Sequence, residues 1–364
     1  MGDNYSYEFL EHPQEDGLIL KVSIKKTPGI VKASNKKVYK RRSAQNIPVV
    51  TDEALKRLEL DKGLSSFEDN TLDIPLDFVT DSFKIFEFMT EVIPSSEPEP
   101  WLKKQLLIRN KLPTVAAVLL FSDEPQAALA KQSGIKLYRY KTKDKEGTRD
   151  TLVFNPISIA GSAHEQIYSA ANETKKIIEE GKVLGEAGLE SMEYPEKALH
   201  EIITNAVLHR DYSISSDIHI IVFDNRVEII SPGALAGHVT SKNILSEQFA
   251  RNGNLVRLIN KFPNPPNKDV GEGLNTAFNE IKRLRLKTPK IIELDQSVKV
   301  IIMHEPLASP EQIIMEYLDN HDEIHNKTAR EITGVRSADV MKNHFYKLQK
   351  KKLIEMNPDP RKKG

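Results

Sequence analysis

The stretch HEIITNAVLHRDYS, residues 200–213, places a glutamate, an asparagine and a histidine four residues apart, at Glu201, Asn205 and His209. Residues four apart on a helix lie one above another, so these three share a face, while Ile202, Ile203, Ala206 and Val207 turn to a core. Pro195 occupies a position favoured for a helix start, and the helix is expected to run from there to about His209. Two readings fit. One is a polar stripe satisfied by neighbouring loops. The other is a row of groups facing a ligand. An amide oxygen suits Mg²⁺, a hard cation that prefers oxygen, and a carboxylate one turn away can polarise a water for attack on a phosphoryl group.

The residues downstream extend the second reading. Residues 217–233, DIHIIVFDNRVEIISPG, form two β-rich runs around Asp224-Asn225, a pair suited to a tight turn. A Gly/Pro/Asn-rich stretch at 262–274 ends in GEGL (271–274), which opens a helix. Glycines let a backbone approach phosphates, and a helix N-terminus offers its unpaired N–H groups to them. IIELDQSVKVIIM (291–303) supplies two more strands, so about 195–305 is expected to form an α+β sandwich layer that makes the nucleotide core. Other catalytic readings fail. Thr204 stands where a zinc-protease helix needs its second histidine, and the chain has neither a G-x-x-x-x-G-K-[ST] loop nor a G-x-S-x-G elbow.

At 364 residues the chain is expected to hold two or three domains. It has 52 Lys+Arg and 52 Asp+Glu, so a nucleic-acid surface must come from local segregation of charge. The absence of cysteine excludes disulfides, thiolate zinc sites, iron–sulfur clusters and cysteine nucleophiles, and it fits a reducing cytosol. The acidic start has no apolar core of a signal peptide, and VAAVLLF (115–121) is far too short to span a membrane. A cytoplasmic protein with no membrane association is expected.

LILKVSI (18–24) alternates like a strand, and KKVYKRRS (36–43) resembles a second. Between Gly17 and Thr51 there is no acidic residue, which suits either an anionic partner or a lysine-protected hairpin edge. DEALKRLEL (52–60) reads as a helix, IPSSEPEP (93–100) as a linker or domain entrance, and WLKKQLLIRN as a further helix. GIKLYRYKTKD (134–144) alternates as a strand, and residues 162–181 form a long amphipathic helix with a glycine stop.

The segment 309–364 reads as three helices and a strand with a basic tail, a winged helix-turn-helix pattern with Ser337 capping the third helix. From His325 onward it has 11 Lys+Arg against 4 Asp+Glu. Arg336, Lys342, Lys347, Lys350, Lys351 and Arg361 are the basic residues expected to touch DNA. Winged helices also serve protein contacts, so a dimerisation module is the plain alternative.

YPEKALHEIITNAVLHRDYS (194–213), FDNRVEIISPGAL (223–235), ARNGNLVRLINKF (250–262) and GEGLNTAFNEIKR (271–283) together resemble a bacterial and archaeal family. Its members are predicted transcriptional regulators and ATP-binding proteins. They join a Schlafen AlbA-like domain to a RecG C-terminal-like, GHKL-type ATP-binding domain similar to the nucleotide-binding fold of gyrase B, MutL and the histidine kinases. The resemblance implies a multidomain α+β chain: a partial AlbA-like domain at 1–70, a RecG C-terminal-like region at 71–308, and the winged helix at 309–364. It makes Glu201 the candidate base and Asn205 the Mg²⁺ ligand, with His209 and Asp211 in an HRDY extension counted among the nucleotide-binding residues. Gly271, Gly273 and Leu274 become the phosphate loop.

Two departures qualify the likeness. Relatives of the GHKL type recognise adenine through the aspartate of a D-x-G-x-G box; this chain has Ser231-Pro232-Gly233-Ala234-Leu235 there, keeping Gly233 and replacing the aspartate with Ser231. The resemblance also implies that the chain begins inside the AlbA-like domain, without the acidic and lysine residues of a Schlafen-type nuclease, which disfavours nuclease activity. Three functions remain open. One is an ATP- and Mg²⁺-responsive, dimeric DNA-binding regulator. Another is the ATPase component of a phage-defence or nucleic-acid-processing assembly, working with a neighbouring-gene partner. The third is a scaffold with a degenerate pocket.

Overall fold

A computed structural model of the chain describes residues 5–11, 17–27, 29–42, 45–129, 132–180, 182–185, 188–191, 195–266, 273–284, 286–303, 310–318, 321–333, 335 and 337–356. It divides into two compact units, residues 1–304 and 305–364.

The larger unit begins with two hairpins, β1 (Tyr5–Glu11) with β2 (Leu18–Ile24) and β3 (Val38–Arg42) with β4 (Gln45–Val49). Helix α1 (Asp52–Lys62) follows. Thr51 caps its start by accepting from the Ala54 N–H at 3.1 Å, and Gly63 ends it in the left-handed region at φ 69°, where glycine carries no penalty.

A helical layer comes next: α2 (Asp77–Thr80), α3 (Phe83–Val92), α4 (Pro98–Lys104), the small hairpin β5 (Ile108–Arg109)/β6 (Leu112–Pro113), α5 (Val115–Phe121) and α6 (Pro125–Ala128). Every residue of α5 is buried, as an all-apolar helix requires. IPSSEPEP is not a linker. Pro98 opens α4 at a position that needs no N–H, and Pro98, Trp101 and Leu102 are buried, so the polar stretch is a turn inside the unit. Nor does the helix continue through LLIRN. It stops at Lys104, Leu106 takes φ 61°, and Ile108–Arg109 enters the small hairpin.

The remaining elements build one layered body. They are β7 (Ile135–Arg139), β8 (Ile157–Ile159), α7 (Ala163–Glu180), the hairpin β9 (Lys182–Gly185)/β10 (Gly188–Ser191), α8 (Glu196–Leu208), β11 (Ile218–Val222), β12 (Arg226–Pro232), α9 (Gly253–Ile259), α10 (Gly273–Arg283), β13 (Lys290–Glu293) and β14 (Ser297–Met303). A six-stranded sheet runs β13-β14-β12-β11-β7-β8. Neighbours are antiparallel except β7 and β11, which pair in parallel, Ile135 opposite Ile218 and Leu137 opposite Ile220. Alternation sends Ile135, Leu137, Ile218, Ile220 and Val222 into the core beneath α7 and α8, with α10 packed against α8.

The sheet therefore draws β7, β8 and α7 into the body that the sequence placed at about 195–305. Its mixed α/β architecture is broader than a layer of two helices and antiparallel strands. A parallel pair joined through two helices leaves no local signal of the pairing in either strand.

The smaller unit contains α11 (Pro310–Leu318), α12 (Asn326–Thr333) and α13 (Ala338–Lys350), packed around Ile314, Ala329, Val335, Met341 and Leu348. Ser337 caps α13 by accepting from the Val340 N–H at 3.4 Å. Residues 351–356 form no strand; the rest of the expected wing, 357–364, lies outside the described residues. Among the described residues, no helix is long and apolar enough to cross a membrane.

Candidate functional site

Helix α8 buries Ala198, Leu199, Ile202, Ile203, Ala206 and Val207 and leaves Glu201, Asn205 and His209 along a cavity of about 1170 Å³. That volume lies just above the range of ordinary ligand pockets, on the order of 300–1,000 Å³. Asn205 Nδ2 donates to Glu201 Oε1 at 2.9 Å, so the two polar groups of the stripe are one unit and the amide oxygen is not spent on the bond. Burial pushes the Glu201 carboxyl above its ordinary range, with the Asn205 hydrogen bond acting against it.

Helix α10 starts directly against this carboxylate. A Cβ added to Gly273 would lie 2.0 Å from Glu201 Oε1, so only glycine lets the helix begin so close. The first turn of α10, whose N–H groups have no acceptor within the helix itself, thus starts at the Glu201 carboxylate, on the wall of the cavity that Asn205 also lines. Leu274 lines the same cavity. Gly271 lies outside the described residues.

His209 is the last of the row, at the C-terminal cap of α8. Burial lowers its pKa to about 4, helped by the charge of Arg251, so the imidazole is neutral near physiological pH. Its Nδ1 is buried without a hydrogen-bond partner.

Ser231, at the position of the family's adenine-binding aspartate, turns its hydroxyl back to α8 and donates to the Ala206 carbonyl at 2.7 Å. Gly233 is needed for two reasons. Its φ is 106°, and a Cβ there would lie 2.6 Å from Asp211 Cβ. Among the described residues, the acidic side chains on the cavity wall are Glu196, Glu201, Glu247 and Glu280, none of them from β12.

Asp211 departs from the expected role. It is absent from the cavity wall and is engaged behind it: Oδ2 meets Arg57 Nη2 at 2.8 Å and Arg251 Nη1 at 3.3 Å, and Oδ1 accepts from the Ser213 N–H at 2.9 Å. Burial pushes this carboxyl up, but Ser213, Arg251 and Arg57 outweigh it and hold it below its usual range. Arg210 and Tyr212 of the HRDY extension are architectural as well. Arg210, fully buried, donates to the carbonyls of Gln132 and Ser216, and Tyr212 Oη donates to the Val207 carbonyl at 3.1 Å.

The sequence reading missed the loop 234–251, which supplies Leu235, Val239, Leu245, Phe249 and Arg251 to the cavity. The N-terminal segment straps it down. Lys26 Nζ donates to the carbonyls of Leu235 at 2.6 Å and Val239 at 3.1 Å, and the Gly237 N–H donates to the Asp61 carbonyl at 3.3 Å. Arg251 donates to the Ala234 carbonyl at 2.6 Å, and Asn252 Nδ2 closes the end of α8 by donating to the carbonyls of Leu208 at 2.9 Å and Arg210 at 2.8 Å. The quoted ARN (250–252) carried this clasp, but a loop without period shows only its composition.

In the smaller unit, Lys342, Lys347, Lys350 and Lys351 are exposed on and just after α13. Lys342 pairs with Asp339 at 3.1 Å and Lys347 with Glu311 at 3.8 Å. Arg336 and Arg361 lie outside the described residues.

Residues 215–302 match the family described as "Putative ATP-dependent DNA helicase recG C-terminal". The match spans β11 to β14 with α9 and α10, and so likens four of the six strands to that family; β7, β8 and α8, with Glu201 and Asn205, precede it. The fold is similar to the crystal structure of the DIP2311 protein from Corynebacterium diphtheriae, at a TM-score of 0.51 and 15% identity, covering 94% of this chain and 71% of that one. No curated protein matches the chain.

Proposed function

We propose that the chain is a nucleotide-responsive regulator, in which Mg²⁺·ATP binds in the cavity of the larger unit and the smaller unit contacts DNA in a dimer. One observation carries the nucleotide half: Glu201, hydrogen-bonded to Asn205 on α8, lies against the glycine that opens α10, and all three line the cavity. A carboxylate, an amide oxygen and a helix N-terminus are the donor set that suits a magnesium triphosphate. Asn205 would ligate the cation and the α10 N–H groups would receive phosphate oxygens. Bound Mg²⁺ supplies neutralisation of phosphate charge. Glu201, its carboxyl raised by burial, is suited to take a proton from a water. With Ser231 committed to the Ala206 carbonyl, recognition of the base does not use a β12 carboxylate.

The DNA half rests on the exposed lysines of α13. The raised Glu201 carboxyl also favours a second reading, an ATPase component of a phage-defence or nucleic-acid-processing assembly that turns over ATP for a protein partner.

Thermal melting with Mg²⁺·ATP tests the first half. Ligand at about 100 times Kd stabilises by ~2.7 kcal/mol, so a saturating titration must raise the midpoint. No shift and no displacement of a fluorescent ATP analogue would overturn nucleotide binding. Phosphate release that falls in Glu201→Ala favours the ATPase; binding with negligible release in both forms favours the sensor. DNA affinity must fall steeply with salt and vanish on deletion of 309–364. Its survival in that deletion would overturn the DNA assignment.

A further inference from the structure

The hairpin β1/β2 separates its faces by chemistry. Its register pairs Tyr5 with Ile24, Tyr7 with Val22, Phe9 with Leu20 and Glu11 with Leu18, and these pairs share one face. The intervening pairs, Ser6–Ser23, Glu8–Lys21 and Leu10–Ile19, share the other. Lys21 Nζ bonds Glu8 Oε1 at 2.6 Å, which suits that face to water. The first face carries seven large apolar side chains, from 50% exposed at Tyr5 to 79% at Ile24.

A lone two-stranded hairpin is marginal in water and gains stability when its apolar face is covered. An uncovered apolar patch of this size marks an interaction surface. Among the described residues nothing covers it, and segments outside them, such as NKDVGE (267–272) and NPDPRKKG (357–364), are short and polar.

We infer that this face is the contact between two copies of the chain. At those exposures the seven side chains present on the order of 800 Å², the share one partner gives to an interface of standard size. The only charge on the face is Glu11, at the end of β1, so it offers nothing that would recognise a nucleic acid or a charged peptide. It is its own complement. A two-fold axis through its centre stacks apolar on apolar and keeps the two Glu11 carboxylates at opposite ends. The inference goes beyond the nucleotide reading and stands even if the cavity binds nothing.

The chain has no cysteine, so single-cysteine variants report contacts unambiguously. Light scattering on the full chain should give twice the 41.2 kDa chain mass, and Leu20→Glu and Val22→Glu should each give the single mass. Both variants should keep the Trp101 melting midpoint, because their sites are exposed. With a short bismaleimide, Phe9→Cys should form covalent dimer at least tenfold faster than Ser23→Cys on the opposite face. A monomeric wild-type chain, a dimer that survives both charged variants, or equal cross-linking from the two faces would overturn the inference. A monomer that sediments with lipid vesicles would do so too, by assigning the face to a membrane surface.

Discussion

Replacing Asp211 with alanine tests whether the polar row of α8 ends at His209 or continues into the next turn. The carboxylate is 2% exposed and serves two guanidiniums unequally. Arg57 is 34% exposed and keeps Asp61 at 2.9 Å, so it can rehydrate at little cost. Arg251 is 5% exposed and would retain only the carbonyls of Ala234 at 2.6 Å and Leu60 at 3.4 Å, with no counter-charge in contact. An uncompensated buried charge costs about 3–5 kcal/mol, and the Ser213 N–H loses its acceptor in the same step. The lower end of that range is expected, because Asp61 still acts on Arg251 from a distance. The single tryptophan, Trp101, lies in the core of the larger unit at 5.1 Å from Phe88, so its fluorescence in a urea titration follows that unit alone. The midpoint should fall with an unchanged slope, and Asp211→Ala combined with Arg251→Leu should cost less than the two single changes added. A loss below ~1 kcal/mol, or strict additivity, would refute the ion-pair account.

Three further outcomes are expected. Gly273→Val puts a side chain into the 2.0 Å approach to Glu201, so calorimetry should show Mg²⁺·ATP affinity reduced at least tenfold (~1.4 kcal/mol) while the melting midpoint moves little, since a carboxylate tip can shift. Glu68 is buried, accepts from the N–H groups of Asn254 and Leu255, and has its pKa raised by burial to about 7. The folded state therefore holds a proton that the unfolded state has released, and this stabilisation is full below about pH 4.5 and lost as pH rises through about 7. The melting midpoint should decline over that window, and Glu68→Gln should flatten the decline. For DNA, each of Lys342→Ala and Lys350→Ala should lower the slope of log affinity against log salt by about 1, measured by fluorescence anisotropy.

How much the sequence shows depends on the range of each interaction. The Glu201–Asn205 pair was legible because both partners sit on one helix, where spacing alone fixes adjacency. Asp211 was misplaced for the same reason. The helix ends at His209, so period no longer governs Asp211, and the arginines that claim it come from α1 and from the loop before α9. The strands at Ile135–Arg139 and Ile218–Val222 were both visible, one by alternation and one as a β-rich run, but their parallel pairing was not. IPSSEPEP read as a linker or domain entrance because its polar residues outvoted Pro98 and the neighbouring Trp101, which anchor it. The wall formed by 234–251 has no regular period, so only its distant contacts reveal its place.

The parallel pairing of β7 with β11 also governs how this protein can be divided. A fragment opening at Pro195 would contain α8, the four remaining strands and most of the cavity, yet it would present the backbone of Ile218–Val222 to solvent along its whole length. Bare edges of that kind recruit strands from other chains. Such a fragment should precipitate or exchange strands when expressed alone, whereas one that opens before Ile135 keeps the edge closed, and the practical limit of the smallest soluble piece is set by a strand some sixty residues upstream of the residues that make the site.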